Sequence, residues 1–340
     1  MKKLQTRSHF LSGASLQNLV AVMYKNRAEI PLKYLPEIML ILITPLLLFP
    51  MHLCEILFYS GKIKRTRINN DPIFIIGHFR SGTTYMHNLL CKDRQFGFPT
   101  TYQCFVPGTF LTGKGFIKAI HKTTLPEKRP MDDVKLDSDF PQEEEFMISA
   151  LSPYSYYQSY FFPRKMVEYF KRLSLLDQAC ERKWEKVYLF ITRKISLTND
   201  GRQLVLKNPV NTTRIHKLMN MFPNAKFIYL HRNADQVLRS TYKLFDKFLA
   251  LYSFQNIAED ELKKNILWVY NQTMRHYEEQ KKLIGKHHLV EVDYAVFINN
   301  PLKEMERIYA ELELDGFQLA RNEFKNYILE QESYIPGNVV

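Results

Sequence analysis

The chain has 340 residues, of which 46% are hydrophobic, 24% charged and 14% aromatic, a composition that buries a sizeable core and excludes both a disordered segment and a disulfide-stapled mini-protein. The formal charge of +12, from 47 Lys and Arg against 35 Asp and Glu, favours an anionic ligand or surface and says little about fold. Cys54, Cys91, Cys104 and Cys180 form neither CxxC pairs nor a dense disulfide framework, which excludes a zinc site of that kind and points to a reducing, cytoplasmic compartment.

The positive charge is uneven. Residues 1–70 hold ten basic side chains, Lys2, Lys3 and Arg7 among them, against Glu29, Glu37 and Glu55. No signal peptide is expected, because Lys2–Arg7 runs into the mixed, polar Ser8–Asn18. From Ile38 to Leu53 the chain is nearly all apolar, but Pro45 and Pro50 interrupt it, and it falls short of the roughly 20 residues that span a bilayer. Flanked by Lys33 and by Lys62–Arg67, the segment reads as a broken helix lying in the membrane interface. A buried core helix and a single-pass anchor are the alternatives.

Beyond Asn70 short apolar runs alternate with amphipathic stretches, the pattern of a mostly parallel sheet between helices. Strands are predicted at Ile73–Ile76, Leu204–Leu206, Phe227–Leu230 and Leu289–Val292, and helices at Thr84–Leu90, Thr213–Phe222, Asp235–Leu249, Asp260–Leu283 and Leu302–Leu312. The insertion from Phe96 to Arg202 reads as helices and loops without sheet. The expected fold is α/β: a P-loop-like three-layer α/β/α sandwich over residues 69–315, with the apolar helical segment at 1–68 and an extension at 316–340.

The first predicted strand runs into Gly77-His78-Phe79-Arg80-Ser81-Gly82-Thr83-Thr84. Strand, glycine-bounded turn and helix start are the parts of a phosphate cradle. The spacing is that of a P-loop, yet Thr83 stands where a nucleotide triphosphatase needs lysine, and the nearest cation is Arg80 within the loop. A second anion element follows the strand at 227–230, where Ser240 comes eight residues after Arg232. An arginine at a strand end and a serine two turns into the next helix converge on one phosphate at the sheet edge. Two such sites imply a ligand phosphorylated at two places.

HFRSGTT followed by YLHRNADQVLRS resembles the 5′- and 3′-phosphate elements of sulfotransferases that use 3′-phosphoadenylyl sulfate (PAPS). RPMDDV…PQEEEF at 129–146, LVLKNPVNTTRI at 204–215, FPNAKFIYLHR at 222–232 and VEVDYAVFINNPL at 290–302 are similar to the membrane-associated branch of that superfamily common in bacteria. The resemblance covers roughly residues 50–315. It implies that Arg80, Ser81, Gly82, Thr83 and Thr84 hold the 5′-phosphosulfate, that Arg80, where many members have lysine, also assists the departing phosphate, that Arg232 and Ser240 hold the 3′-phosphate, and that no metal is needed. Lys207 is a second cation at a strand end; the histidine that cytosolic members carry two residues beyond their lysine is absent, Pro209 standing there. Also absent is the carboxyl-terminal RKGxxGDWK-type element, and Ala234 stands where proline is usual.

An acceptor hydroxyl needs a base. Glu143-Glu144-Glu145 is expected to open a helix after Pro141, with Glu143 and Glu144 sharing its inward side more than Glu145; Glu144 is narrowly preferred, and His78 and His87 are rivals. Acidic residues favour helix starts in any case. The aromatic tract at 153–162 reads as core packing first and as the wall of an apolar acceptor pocket second. The expected function is sulfuryl transfer to a lipophilic alcohol, a sterol or lipid, by a protein peripheral to the membrane; a P-loop kinase and a non-catalytic nucleotide-binding module are the alternatives. No nucleic-acid motif accompanies the charge, and no oligomeric state is implied.

Overall fold

The computed structural model describes residues 9–69, 71–129, 135–173 and 178–332. Lys2, Lys3 and Arg7, and all of the RPMDDV phrase but Arg129, lie outside the described residues. Five strands form one parallel sheet: β1 (Ile73–Ile76), β2 (Phe96–Gly97), β3 (Gln203–Lys207), β4 (Lys226–His231) and β5 (Leu289–Asp293), in the order β2-β3-β1-β4-β5. β1 lies centrally, Phe74 pairing with Leu206 on one side and with Phe227 on the other.

Both faces of the sheet are buried, and alternate residues sort onto them as the two-residue strand period requires. Phe74, Ile76, Leu204, Leu206, Phe227 and Tyr229 pack with Met147, Trp184 and Tyr188, while Ile73, Ile75, Val205, Ile228 and Leu230 pack with Met86, Leu89 and Phe324 on the other face. This is the three-layer arrangement. Two local departures have physical reasons. The 96–202 insertion is not free of sheet, because β2 adds a two-residue edge strand paired with Gln203 and Leu204, too short to leave a periodicity. The helix expected from Thr213 starts at Ile215; Pro209–Thr213 is a 3₁₀ turn whose Val210 amide is capped by the Asn208 side chain.

A third cluster joins the amino-terminal segment to the body. Leu11, Leu19, Val22, Ile38 and Ile41 pack with Tyr156, Tyr160, Phe161 and Phe248. Helix α1 (Leu16–Asn26) is capped by the Ser15 side chain. Helix α2 (Leu35–Arg65) runs unbroken through Pro45 and Pro50, so the expected break is not there. Each proline removes one ladder hydrogen bond, a loss that docking of Ile38, Ile41 and Pro45 on the body offsets. α2 packs on the body along one side only: Leu47, Leu57 and Phe58 on the other are 74%, 76% and 75% exposed.

A buried ion pair fixes the rotation of α2. The Glu55 carboxylate accepts from the Leu111 and Thr112 amides at 2.8 and 3.3 Å and from the ammonium of Lys194, which also donates to the Pro107 carbonyl and lies over the Phe110 ring. Neither side chain is more than 5% exposed. Breaking such a pair strands a charge. Lys194→Met is therefore expected to cost about 3–5 kcal/mol in urea unfolding, and Glu55→Gln added to it is expected to recover most of the loss.

Candidate active site

The strand ends assemble the site. β1 feeds the loop 77–82, whose Gly77, Arg80 and Gly82 have φ of 139°, 69° and 95°. At Gly77 a Cβ would come 2.4 Å from the Leu230 carbonyl oxygen, and at Gly82 it would come 2.3 Å from the Tyr294 ring. Only glycine fits these two positions. Thr212 braces the loop by accepting from the Gly77 amide at 2.9 Å and donating to the Gly77 carbonyl at 3.1 Å. Helix α3 (Thr83–Leu90) has Gly82 as its N-cap, so no side chain caps its first amides. That open, positive helix end is an anion cradle.

The two anion elements touch. Arg80 Nε donates to Ser240 Oγ at 3.0 Å, and Arg232 Nη1 donates to the Arg80 carbonyl at 3.4 Å. The Arg232 guanidinium lies 4.5 Å from the centre of the Tyr294 ring, which also covers Gly82. Asn233 caps the helix Ala234–Tyr252 through the amides of Asp235 and Gln236, so Ala234 does the work usual for proline at no loss of the cap. Ser81 is turned inward, its hydroxyl donating to the His78 carbonyl at 2.7 Å, while Thr83 is buried.

A second group lies at the end of β3. Lys207, 1% exposed, donates to Glu143 and, at 3.3 Å, to Thr84 Oγ1 in the first turn of α3. Tyr157 donates its hydroxyl to the other Glu143 oxygen. Burial lowers the Lys207 pKa, and the Glu143 carboxylate opposes that fall. Thr84 thus links the carboxylate–lysine pair to the anion cradle.

The acidic triplet is sorted differently from the sequence expectation. Glu143 is the N-cap in extended backbone and the helix is Glu144–Leu151, so the three carboxylates leave in three directions. Glu145, expected outermost, is fully buried against Arg214 at 3.0 Å and Asn208 at 2.8 Å. Glu144 turns away from Lys207 to accept from Tyr188 at 2.8 Å and Asn211 at 2.9 Å. Among the three, Glu143 is the one at the sheet edge. His78 and His87 are both buried, and burial takes His78 down to about 4 and His87 well down, Lys207 adding to the latter shift.

Tyr157, Thr212 and Tyr294 were not singled out from the sequence as site residues. Tyr157 sat inside the aromatic tract and Tyr294 inside the phrase VEVDYAVFINNPL, so both were visible as text without their roles. The tract itself is mostly core: Tyr156, Tyr157, Tyr160, Phe161 and Phe162 are all buried.

A parallel sheet that gathers a cationic loop, a strand-end arginine and a lysine-bound carboxylate at its carboxyl edge has the architecture of a P-loop-like group transferase. A sequence model of the sulfotransferase family matches residues 72–319, and the chain belongs to that family. It is 28% identical over 279 residues, 81% of this chain and 71% of the relative, to omega-hydroxy-beta-dihydromenaquinone-9 sulfotransferase Stf3 of Mycobacterium bovis, and equally to that of Mycobacterium tuberculosis. In fold it is similar to the crystal structure of sulfotransferase STF1 from Mycobacterium tuberculosis, with a TM-score of 0.67 at 16% identity over 92% of this chain and 86% of the other. STF9 from Mycobacterium avium follows with 0.62 at 17% identity, over 82% and 72%.

Burial also sets a pH dependence. It pushes Glu144 up to about 7 from the usual 4.5, so the folded protein binds this proton more tightly than the unfolded chain. The stability this contributes is full below about pH 4.5 and is lost as pH rises to about 7, a loss of about 3 kcal/mol. Glu144→Gln, which keeps an acceptor for Tyr188 and Asn211, is expected to flatten the decline in unfolding free energy between pH 5 and 7. Denaturant titrations at stepped pH measure it.

Proposed function

We propose that the chain transfers a sulfuryl group from PAPS to the hydroxyl of a lipophilic acceptor. The observation that carries this reading is the contact between the two anion elements, Arg80 to Ser240 and Arg232 to Arg80, beside a Lys207–Glu143 pair. Their chemistry fits a ligand with phosphates at both ends of a nucleoside: five-donor guanidinium forks, a hydroxyl and free helix amides. When bound, PAPS supplies an activated sulfuryl group and departs as adenosine 3′,5′-bisphosphate.

In this reading Arg232 and Ser240 hold the 3′-phosphate, and the Gly82, Thr83 and Thr84 amides with the threonine hydroxyls hold the 5′ end. Arg80 and Lys207 neutralise charge that grows on the departing side, the kind of fixed electrostatics that lowers a transfer barrier. Glu143, oriented by Lys207 and Tyr157, takes the acceptor proton. Glu144 is bonded to Tyr188 and Asn211 instead. The kinase alternative lacks its loop lysine, and family membership supports sulfuryl rather than phosphoryl transfer.

The lipophilic acceptor is supported by the relative named for a hydroxylated dihydromenaquinone and by α2. With its preceding turn, α2 is long and apolar enough to cross a membrane, yet it docks on the body by one face and exposes the other. An apolar stripe between Lys33 and Lys62–Arg67 suits a cytoplasmic protein lying on an anionic leaflet.

Two measurements separate the parts. Arg232→Ala is expected to weaken calorimetric binding of adenosine 3′,5′-bisphosphate by roughly 2–5 kcal/mol, whereas Glu143→Gln leaves that binding intact and lowers kcat by roughly 10²–10⁴. Stronger binding of ATP–Mg²⁺ than of the bisphosphate would sink the reading. For the membrane surface, Leu47→Glu with Leu57→Glu, both exposed, should release the protein from vesicles containing phosphatidylserine without changing its unfolding midpoint; unchanged co-sedimentation rules that surface out.

A further inference from the structure

Three elements meet at the buried Glu55–Lys194 pair, and each carries an exposed phenylalanine beside it. On α2 it is Phe58, one turn past Glu55 and 75% exposed. On the helix Gln178–Thr198 it is Phe190, one turn before Lys194; its ring centre lies 5.7 Å from the Lys194 Nζ, and 40% of the residue remains exposed. The third follows Leu111 and Thr112, whose amides donate to Glu55. Thr112 also donates its hydroxyl to the Met51 carbonyl of α2. Four residues further on, within about 15 Å of Thr112 by the reach of the chain, stands Phe116, 74% exposed.

Phe116 opens the helix Phe116–Thr124, whose apolar arc is wider than the face it buries. Ile117 is buried and the His121 ring packs with Tyr102 and Phe105, which holds the helix on the body. Phe116, Ala119, Ile120 and Thr123, spaced by three and four, are all exposed, a weakly polar stripe that no element among the described residues covers. Cations border each of the three phenylalanines. Lys62, Lys64 and Arg65 close α2, and Lys186 and Arg193 share the helix side of Phe190, four residues before it and three after. Lys114 precedes the stripe, while Lys118 and Lys122 run beside it and share the one carboxylate of Asp139.

Resting on the membrane-surface reading of α2, we infer that Phe116 and Ile120, together with Phe190, form a second contact with an anionic lipid leaflet, one that fixes the roll of the body about α2. Apolar anchors set among cations fit the interface of such a leaflet. A second copy of the chain fits badly, because a two-fold dimer would lay the same cations against themselves. One helix lying in the interface leaves rotation about its own axis free. Anchors on two further elements, tied to α2 through Glu55, remove that freedom.

The test uses the full-length chain with mixed phosphatidylcholine and phosphatidylserine vesicles, doped with a phospholipid that carries a diazirine on its acyl chain, irradiated and mapped by peptide mass spectrometry. Label is expected on peptides containing Phe58, Phe116 and Phe190. Phe116→Ser with Ile120→Ser is expected to lower the vesicle partition coefficient about tenfold at an unchanged unfolding midpoint, and phosphatidylcholine alone is expected to bind about tenfold more weakly than the mixture. Label confined to α2, or a double variant that partitions as the wild type does, overturns the second contact and leaves the α2 reading standing. Equal partitioning onto phosphatidylcholine alone overturns the anionic partner. A wild-type dimer that the double variant converts to monomer overturns the lipid assignment in favour of a second copy. Wild type that stays unbound at every lipid concentration overturns the membrane reading itself, and this inference falls with it.

Discussion

Three consecutive carboxylates, two buried and one half-buried, lie against the carboxyl end of β3, and the molecule meets the cost of each by a different means. Glu145 receives a full counter-ion in Arg214 and accepts further hydrogen bonds from Asn208, the Ser155 hydroxyl and the Tyr156 amide. Glu144 receives neutral donors, Tyr188 and Asn211, and burial makes its protonated form competitive near neutrality. Glu143 receives Lys207 at the rim, where its side chain keeps 13% of its exposure. Each of the three takes at least one partner from a single stretch, Lys207 for Glu143, Asn211 for Glu144, and Asn208 with Arg214 for Glu145. An isolated buried carboxylate is prohibitive, so the acidic helix start and the β3 exit are stable only as a pair.

That pairing is what brings Glu143 and Lys207 beside the loop after β1. Thr212 in the same stretch bonds both backbone groups of Gly77, so the segment that neutralises the triplet also braces the anion loop. The loop in turn holds Arg80 in a left-handed conformation that arginine seldom adopts. Its hydrogen bond to Ser240 and the Arg232 contact to its carbonyl compensate. Strain tied down by neighbours in this way is a mark of preorganisation: the cations are placed by the fold.

Much of this was legible in the sequence because it rests on local rules. Short apolar runs marked four of the five strands; β2 is two residues held by tertiary contact and left no pattern. Gly77 and Gly82 announced the loop, and Arg232 with Ser240 announced its companion, since strand-to-helix turns obey fixed spacings. The triplet was harder. Helical spacing from Met147 treats Glu143 as a helix residue, whereas it is the N-cap, and one position of offset changes which carboxylate meets Lys207. Arg214, sixty-nine positions away in sequence, decides the burial of Glu145, and no local window contains it.

The apolar helix shows the same logic at larger scale. Composition alone leaves α2 undecided among core, interface and span, because periodicity is weak when nearly every residue is apolar. The charged exception resolves its rotation: Glu55 is drawn inward by Lys194 and by the Leu111 and Thr112 amides, with Pro45, Ile41 and Ile38 on the same packed side. A buried ion pair adds little net stability but penalises every other rotation severely. The opposite, apolar side of α2 is thereby committed to the exterior, while Pro45, Leu48 and Phe49 are held against Gly13–Leu16 at the start of the chain.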